Sequence, residues 1–236
     1  MDNLGPRFIL EFPGGIKLTE SVVSMWIVMA VLIVFFLIFV RNLEKVPKGM
    51  QNLIEVIVDT TYNQTSLVMG PNMQGFAPYI GTLFLFLLCG NFLGLIGMRP
   101  ITSDVNTTFA LATITFLLIH FFSIKNKGIA GYVKHLSNPS IIMLPINILG
   151  ELAFPLSLSF RLFGNITGGV IILTLVYSAL GSLSSIIHLP IPLLDLLIPI
   201  PLNAFFDAFE GILQAFIFTM LTMTFISMGY EKNEEH

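Results

Sequence analysis

Five stretches of the chain carry no charged side chain: residues 21–40, 60–98, 105–124, 162–194 and 211–230. A helix needs about 20 apolar residues to cross the hydrocarbon of a bilayer, so several of these runs predict membrane spans. Span one is expected over residues 21–40, span two over 76–98 and span three over 105–124. Between the first two lies QNLIEVIVDTTYN, where Leu53, Ile54, Ile57 and Val58 recur at helical spacing while Glu55 and Asp59 share another face. That pattern predicts an amphipathic helix over residues 50–70 that lies on the membrane interface and does not cross.

Beyond Pro139 the pattern changes. Residues 140–180 form an apolar segment twice as long as an upright span needs, with Pro145 and Pro155 inside it. A connector over 181–201 is punctuated by Pro190, Pro192, Pro199 and Pro201 and holds His188 and Asp195. A last long segment, 202–230, ends in the charged tail EKNEEH. Two long, partly polar helices joined by a proline-rich turn make a hairpin whose excess length predicts strong tilt or extra half-spans. The expected fold is therefore an all-α integral membrane protein. It has about five crossings, one interfacial helix and one membrane domain through residues 1–236.

Basic residues set the expected orientation. Arg41, Lys45 and Lys48 follow span one, and Lys125, Lys127 and Lys134 follow span three. The positive-inside rule places both groups in the cytoplasm, with the tail 1–20 outside and the tail 231–236 inside. Composition agrees: 55% of residues are hydrophobic and 11% charged, against about 25% charged in soluble domains. The net charge of −3 adds little, and no nucleic-acid partner is expected. Cys89 is the only cysteine, which excludes an internal disulfide and reads as packing. The N-terminus lacks the pattern of a cleavable signal peptide, and the N-x-T triplets at Asn63, Asn106 and Asn165 read as chance matches.

Within the hairpin the polar residues line up. On a helical wheel Asn147, Glu151, Ser157, Arg161 and Asn165 fall within an arc of about 120°. Asn203, Asp207, Glu210 and Gln214 follow at spacings of 4, 3 and 4. Gly164 and Gly168 form a small-residue motif beside the arginine, with Gly169 and Ser157, and such residues let another helix approach closely. Single asparagines in a membrane are commonly interhelical glue. His120, near the end of span three, reads as an interfacial side chain. Arg161 resists any such reading, because a charge at the bilayer centre costs about 2.5–3.5 kcal/mol or more and arginine cannot shed its proton. A fixed cation beside carboxyls that can exchange protons describes a charge gate with wet pathways. No H-E-x-x-H, Walker A or G-x-S-x-G motif occurs, and no metal or cofactor is expected. A secondary transporter with Arg161 binding an anionic substrate is the alternative, but it predicts inverted repeats, and none is seen.

The stretches LSLSFRLFGNITGG and LQAFIFTMLTM, with MQNLIEVIVD, GNFLGL and PITSDVNTTFALA in the same order, closely resemble subunit a of the F-type ATP synthases of bacteria. The resemblance implies a stator subunit, not catalytic by itself, in a bacterial plasma membrane. Its implied partners are a rotating ring of c subunits, the b-subunit peripheral stalk, the rest of the complex and the lipid bilayer. Arg161 then matches the essential arginine, Asn165 the asparagine one turn on, and Gln214 the glutamine of the last helix. Many bacterial members carry Glu five residues after that asparagine, where this chain has Val170. Asp207 and Glu210 are expected to take over that role. Glu151, Asp207, Glu210 and Asn203 are expected to line the outer access path, with Asn91 and Asp104 as weaker contributors and the inner path poorly marked.

Overall fold

In a computed structural model of the chain, the described residues are 8–11, 17–41, 44, 46–138, 140–187 and 199–230. His188, Asp195, Lys45 and the charged tail 231–236 lie outside them. The architecture is helical, and among the described residues five helices are long and apolar enough to cross a membrane. At the start, β1 (Phe8–Glu11) pairs antiparallel with β2 (Lys17–Thr19), so the expected tail carries a short ladder. The second strand runs directly into α1 (Glu20–Phe39), which buries only Ser21, Ser24 and Val28 and presents the rest of its surface outward. An all-round apolar helix at the edge of a bundle is stable only where lipid covers it.

α2 (Met50–Met69) keeps its amphipathic pattern, burying Ile54, Thr65 and Met69. It lies against α3 (Ala77–Phe92), where Gly81 admits the Thr61 side chain at a distance that leaves almost no room for a Cβ. Gly70, at φ 86°, turns the chain between them. After α3 a 3₁₀ turn, Leu93–Ile96, closes on Gly97 at φ 78°. α4 (Val105–Leu136) is continuous to a break at Gly128, whose φ of 72° and ψ of 164° are non-helical. That break divides the membrane part from a short terminal piece bearing Lys134.

α5 (Leu144–Ile187) has 44 residues and passes through Pro155 without ending. At 1.5 Å per residue it is about 66 Å long, roughly twice the hydrocarbon thickness, so it cannot stand upright in a membrane. The return limb comprises α6 (Pro199–Asn203), a π-helical segment Ala204–Glu210 and α7 (Gly211–Tyr230). α7 is the central packing helix. Its Ala215 and Phe218 meet Leu83, Leu87, Ala112, Leu158 and Leu162 in one cluster. Its Met223 and Ile226 meet Met69, Met73 and Ile80 in a second. Hydroxyl pairs add polar contacts between helices: Thr108 with Ser159 at 3.0 Å and Thr115 with Thr222 at 3.5 Å. Such pairs hold helices together where apolar surfaces gain nothing over lipid.

Candidate ion-path site

Arg161 is positioned by its neighbours. Leu158 and Leu162, at 2% and 0% exposure, are locked into the core of the bundle, which fixes the rotation of α5. Ser157, Phe160, Arg161, Gly164 and Asn165 are left exposed. Among the described residues Arg161 makes no hydrogen bond or ion pair. A Cβ added at Gly164 or Gly168 would meet nothing within 4 Å, so the small-residue motif is open on this face. Close packing inside the chain occurs instead at Gly169, where an added Cβ would lie 2.9 Å from the Phe206 ring.

The two limbs of the hairpin are tied together near the arginine. Asn165, one turn beyond it, donates from Nδ2 to Gln214 Oε1 at 2.9 Å. Gln214 is 2% exposed and its Nε2 has no hydrogen-bond partner among the described residues. Farther along α5, Asn203 Nδ2 donates to the Tyr177 hydroxyl at 2.8 Å, joining α6 to α5. Asp207 and Glu210 lie in the π segment, and neither carboxylate makes a hydrogen bond or ion pair among the described residues. A π turn closes on the fifth residue instead of the fourth, so the 4, 3, 4 spacing does not form the narrow stripe that a regular helix predicts. Asp207 points at the turn after α3, where a Cβ on Gly94 would stand 2.8 Å from its Oδ1.

Glu151 belongs elsewhere. It was expected beside Asp207 and Glu210, but it lies ten residues before Arg161 and pairs with His120 of α4, Nε2 to Oε2 at 3.3 Å. Ten helical residues span about 15 Å, and a helical wheel discards that axial distance. Glu151 sits toward the lysine-bearing end of α4, and Asp207 sits toward the opposite end, at the turn after α3. The imidazole, expected as a lone interfacial group, is its partner; nothing in the spacing of residues 31 apart could reveal the contact.

Asn91 and Asp104, among the weaker candidates, make structural contacts. Asn91, 1% exposed, donates to the Gly211 carbonyl at 3.2 Å and accepts from Thr102 at 2.6 Å, clamping α3 to the start of α7. Asp104 Oδ1 accepts the Asn106 backbone N–H at 2.9 Å and caps α4. Asn147 donates to the Leu136 carbonyl at 2.8 Å and closes the turn between α4 and α5. Ser157 shares the open face of Arg161. Among the described residues no group of three His, Cys, Asp or Glu side chains is arranged to hold a metal.

With this geometry in view, the sequence profile described as ATP synthase A chain matches residues 22–227. The chain belongs to that family. The ATP synthase subunit a of Moorella thermoacetica is 34% identical over 91% of this chain and 92% of its own length. Subunit a 2 of a Bradyrhizobium species is 37% identical over 90% and 89%. The sodium ion specific subunit a of Propionigenium modestum is 36% identical over 93% and 78%. As a member of this family the chain is a membrane stator subunit that carries ions in the F-type ATP synthase, while bond chemistry takes place in other subunits.

The contact between Gly94 and Asp207 yields a direct test. Gly94→Ala should push the Asp207 carboxyl from its place, and, with Asp207 in the ion path as proposed below, lower coupled ion transport by up to about 100-fold. ATP-driven pumping in vesicles, compared at equal amounts of assembled complex, measures it.

Proposed function

We propose that Arg161 is the fixed cation past which the carboxylates of a rotating c-ring travel, and that the open face of α5 is the surface the ring meets. One observation carries this reading. A permanently charged guanidinium stands on the exposed side of a membrane helix with no partner in its own described chain, next to two glycines with empty space over them. Such a group needs an anion from another subunit, and small residues let a second helix come close enough to supply one.

The charges then dictate the cycle. A rotor carboxylate must be neutral, by protonation or Na⁺ loading, to face lipid. Opposite Arg161 its ionised form is favoured: two unit charges 4 Å apart attract by about 4 kcal/mol at an effective dielectric near 20, before desolvation is subtracted. The carboxylate releases its ion on approaching the arginine and reloads from the other side. Each charge that crosses gains about 2.3 kcal/mol per 100 mV, and this drives rotation. The same guanidinium keeps ions from leaking straight between the two half-channels.

Asp207, Glu210 and Asn203 line the outer half-channel in this reading, and Asn165 and Gln214 orient the guanidinium. Asp207 takes the part of the glutamate that the family resemblance leads one to expect at the position of Val170. The geometry supports the exchange, since Gly169, just before Val170, packs against Phe206, just before Asp207. The chain sits in a bacterial plasma membrane with its lysine-bearing end in the cytoplasm, its N-terminus outside and its C-terminus inside. The b-subunit stalk holds it against rotation.

Two outcomes test the reading. In a Cys89→Ser background, Gly164→Cys should crosslink to a small ring subunit in membranes, and labelling confined to lipid would count against the docking face. Val170→Glu combined with Asp207→Ala should pump protons better than Asp207→Ala alone; equal loss in both would defeat the exchange.

A further inference from the structure

The contact between His120 and Glu151 has a chemical consequence that residue types alone do not convey. The ring nitrogen Nδ1 lies 2.8 Å from the Phe116 carbonyl oxygen. A carbonyl cannot donate, so Nδ1 carries the hydrogen of that bond. In the neutral ring Nε2 is then a bare lone pair, and it faces a carboxylate oxygen at 3.3 Å. Two lone pairs do not hold each other at that distance. The arrangement seen is therefore the loaded one, with a proton between them, either as imidazolium against carboxylate or as neutral imidazole accepting from the carboxylic acid; on unloading the two groups part or admit water.

We propose that His120 and Glu151 together form a one-proton station at the lysine-bearing mouth of the ion path, handing protons between the cytoplasm and the region of Arg161. The proposal rests on the stator reading above and extends it to the inner half-channel, which the sequence leaves unmarked. Loading adds one proton to the pair, shared by Nε2 and Oε2. Unloading returns one proton to water and leaves neutral imidazole beside carboxylate, so each turnover is a proton gained and a proton lost with no other bond changed.

The surroundings suit that task. The side chains are 20% and 34% exposed, neither sealed in the bundle nor free of it, and are held by two helices. Phe116 lies tilted against the imidazole at 3.9 Å and Tyr132 meets it edge-on at 5.8 Å, so the ring is confined between them. Among the described residues, titratable groups facing the imidazole include Glu151 from α5 and Tyr132 from α4 itself. α7 approaches the adjacent Ile119 with Gly229, which is neutral. Glu151 shares α5 with Arg161 and stands about 15 Å from it, a distance for a short chain of waters. The pair is also selective. An imidazole nitrogen whose partner nitrogen is committed to a backbone carbonyl takes up a proton, whereas Na⁺ is a hard cation that seeks several oxygens.

The test uses the complete ATP synthase in inverted vesicles, whose outer medium reaches the cytoplasmic face. His120→Gln, Glu151→Gln and the double variant are compared for ATP-driven proton uptake across a range of outer pH. Each single variant should slow uptake by about 10-fold to 100-fold and flatten its pH profile, since a positioned proton-transfer group is worth about 100-fold upward and water replaces it in part at a half-exposed site. The double variant should be no slower than either single one, because removing either member empties the station. Unchanged rates and profiles, losses that multiply in the double variant, or Na⁺-dependent pumping indifferent to both substitutions would overturn the proposal. Should Glu151→Gln not assemble, nitrogen NMR of the His120 ring in the unaltered complex reads the same point. A Nε2 resonance that responds to cytoplasmic-side pH while Nδ1 stays protonated supports the station, and an unresponsive one overturns it. Failure here would leave the Gly164→Cys crosslink, and with it the ring-facing role of Arg161, untouched.

Discussion

A guanidinium that cannot lose its charge, placed on the open side of a membrane helix, is the constraint around which the rest of this molecule is arranged. Burying Leu158 and Leu162 turns α5 so that Arg161 faces away from the bundle, and Asn165 braces the same face against Gln214 of the central helix. Had the arginine turned inward it would have needed a carboxylate within its own chain, and the pair would have been a static strut. Facing outward, it stays available to a succession of partners.

The carboxyls are distributed accordingly. Asp207 and Glu210 lie on a π-helical segment at one end of α7, and Glu151 with His120 lies toward the other end of the bundle. π turns are frequent at functional sites, where the widened turn re-aims side chains. Here that segment turns Asp207 toward the small gap left by Gly94 and Phe206 toward Gly169. The two acidic regions are separated along α5 by Arg161. In the proposed reading these are the ends of two access routes that do not meet, so that passage requires a moving carrier.

Much of this was legible in the order of residues, for physical reasons. Span positions follow from hydrophobic length, so α1, α3, α4 and the long hairpin could be read directly, as could the amphipathic α2. Arg161 stood out because nothing bland explains a permanent charge in oil. Other features left no trace. The π segment AFFDAFE reads like any helix, since its departure lies in backbone hydrogen bonding and not in side-chain type. The break at Gly128 rests on a positive φ that glycine permits but does not announce. A wheel sets Glu151 on the face of Arg161 because it records angle and discards height. His120 became a partner only when α4 and α5 were laid side by side.

ATP synthesis driven by an imposed ion gradient in vesicles carrying Arg161→Gln tests the central claim most directly. Glutamine leaves a shorter, polar, neutral side chain in place of the charge. The account predicts that synthesis falls to background while the complex still assembles and its soluble sector still hydrolyses ATP. Synthesis at the native rate would contradict it.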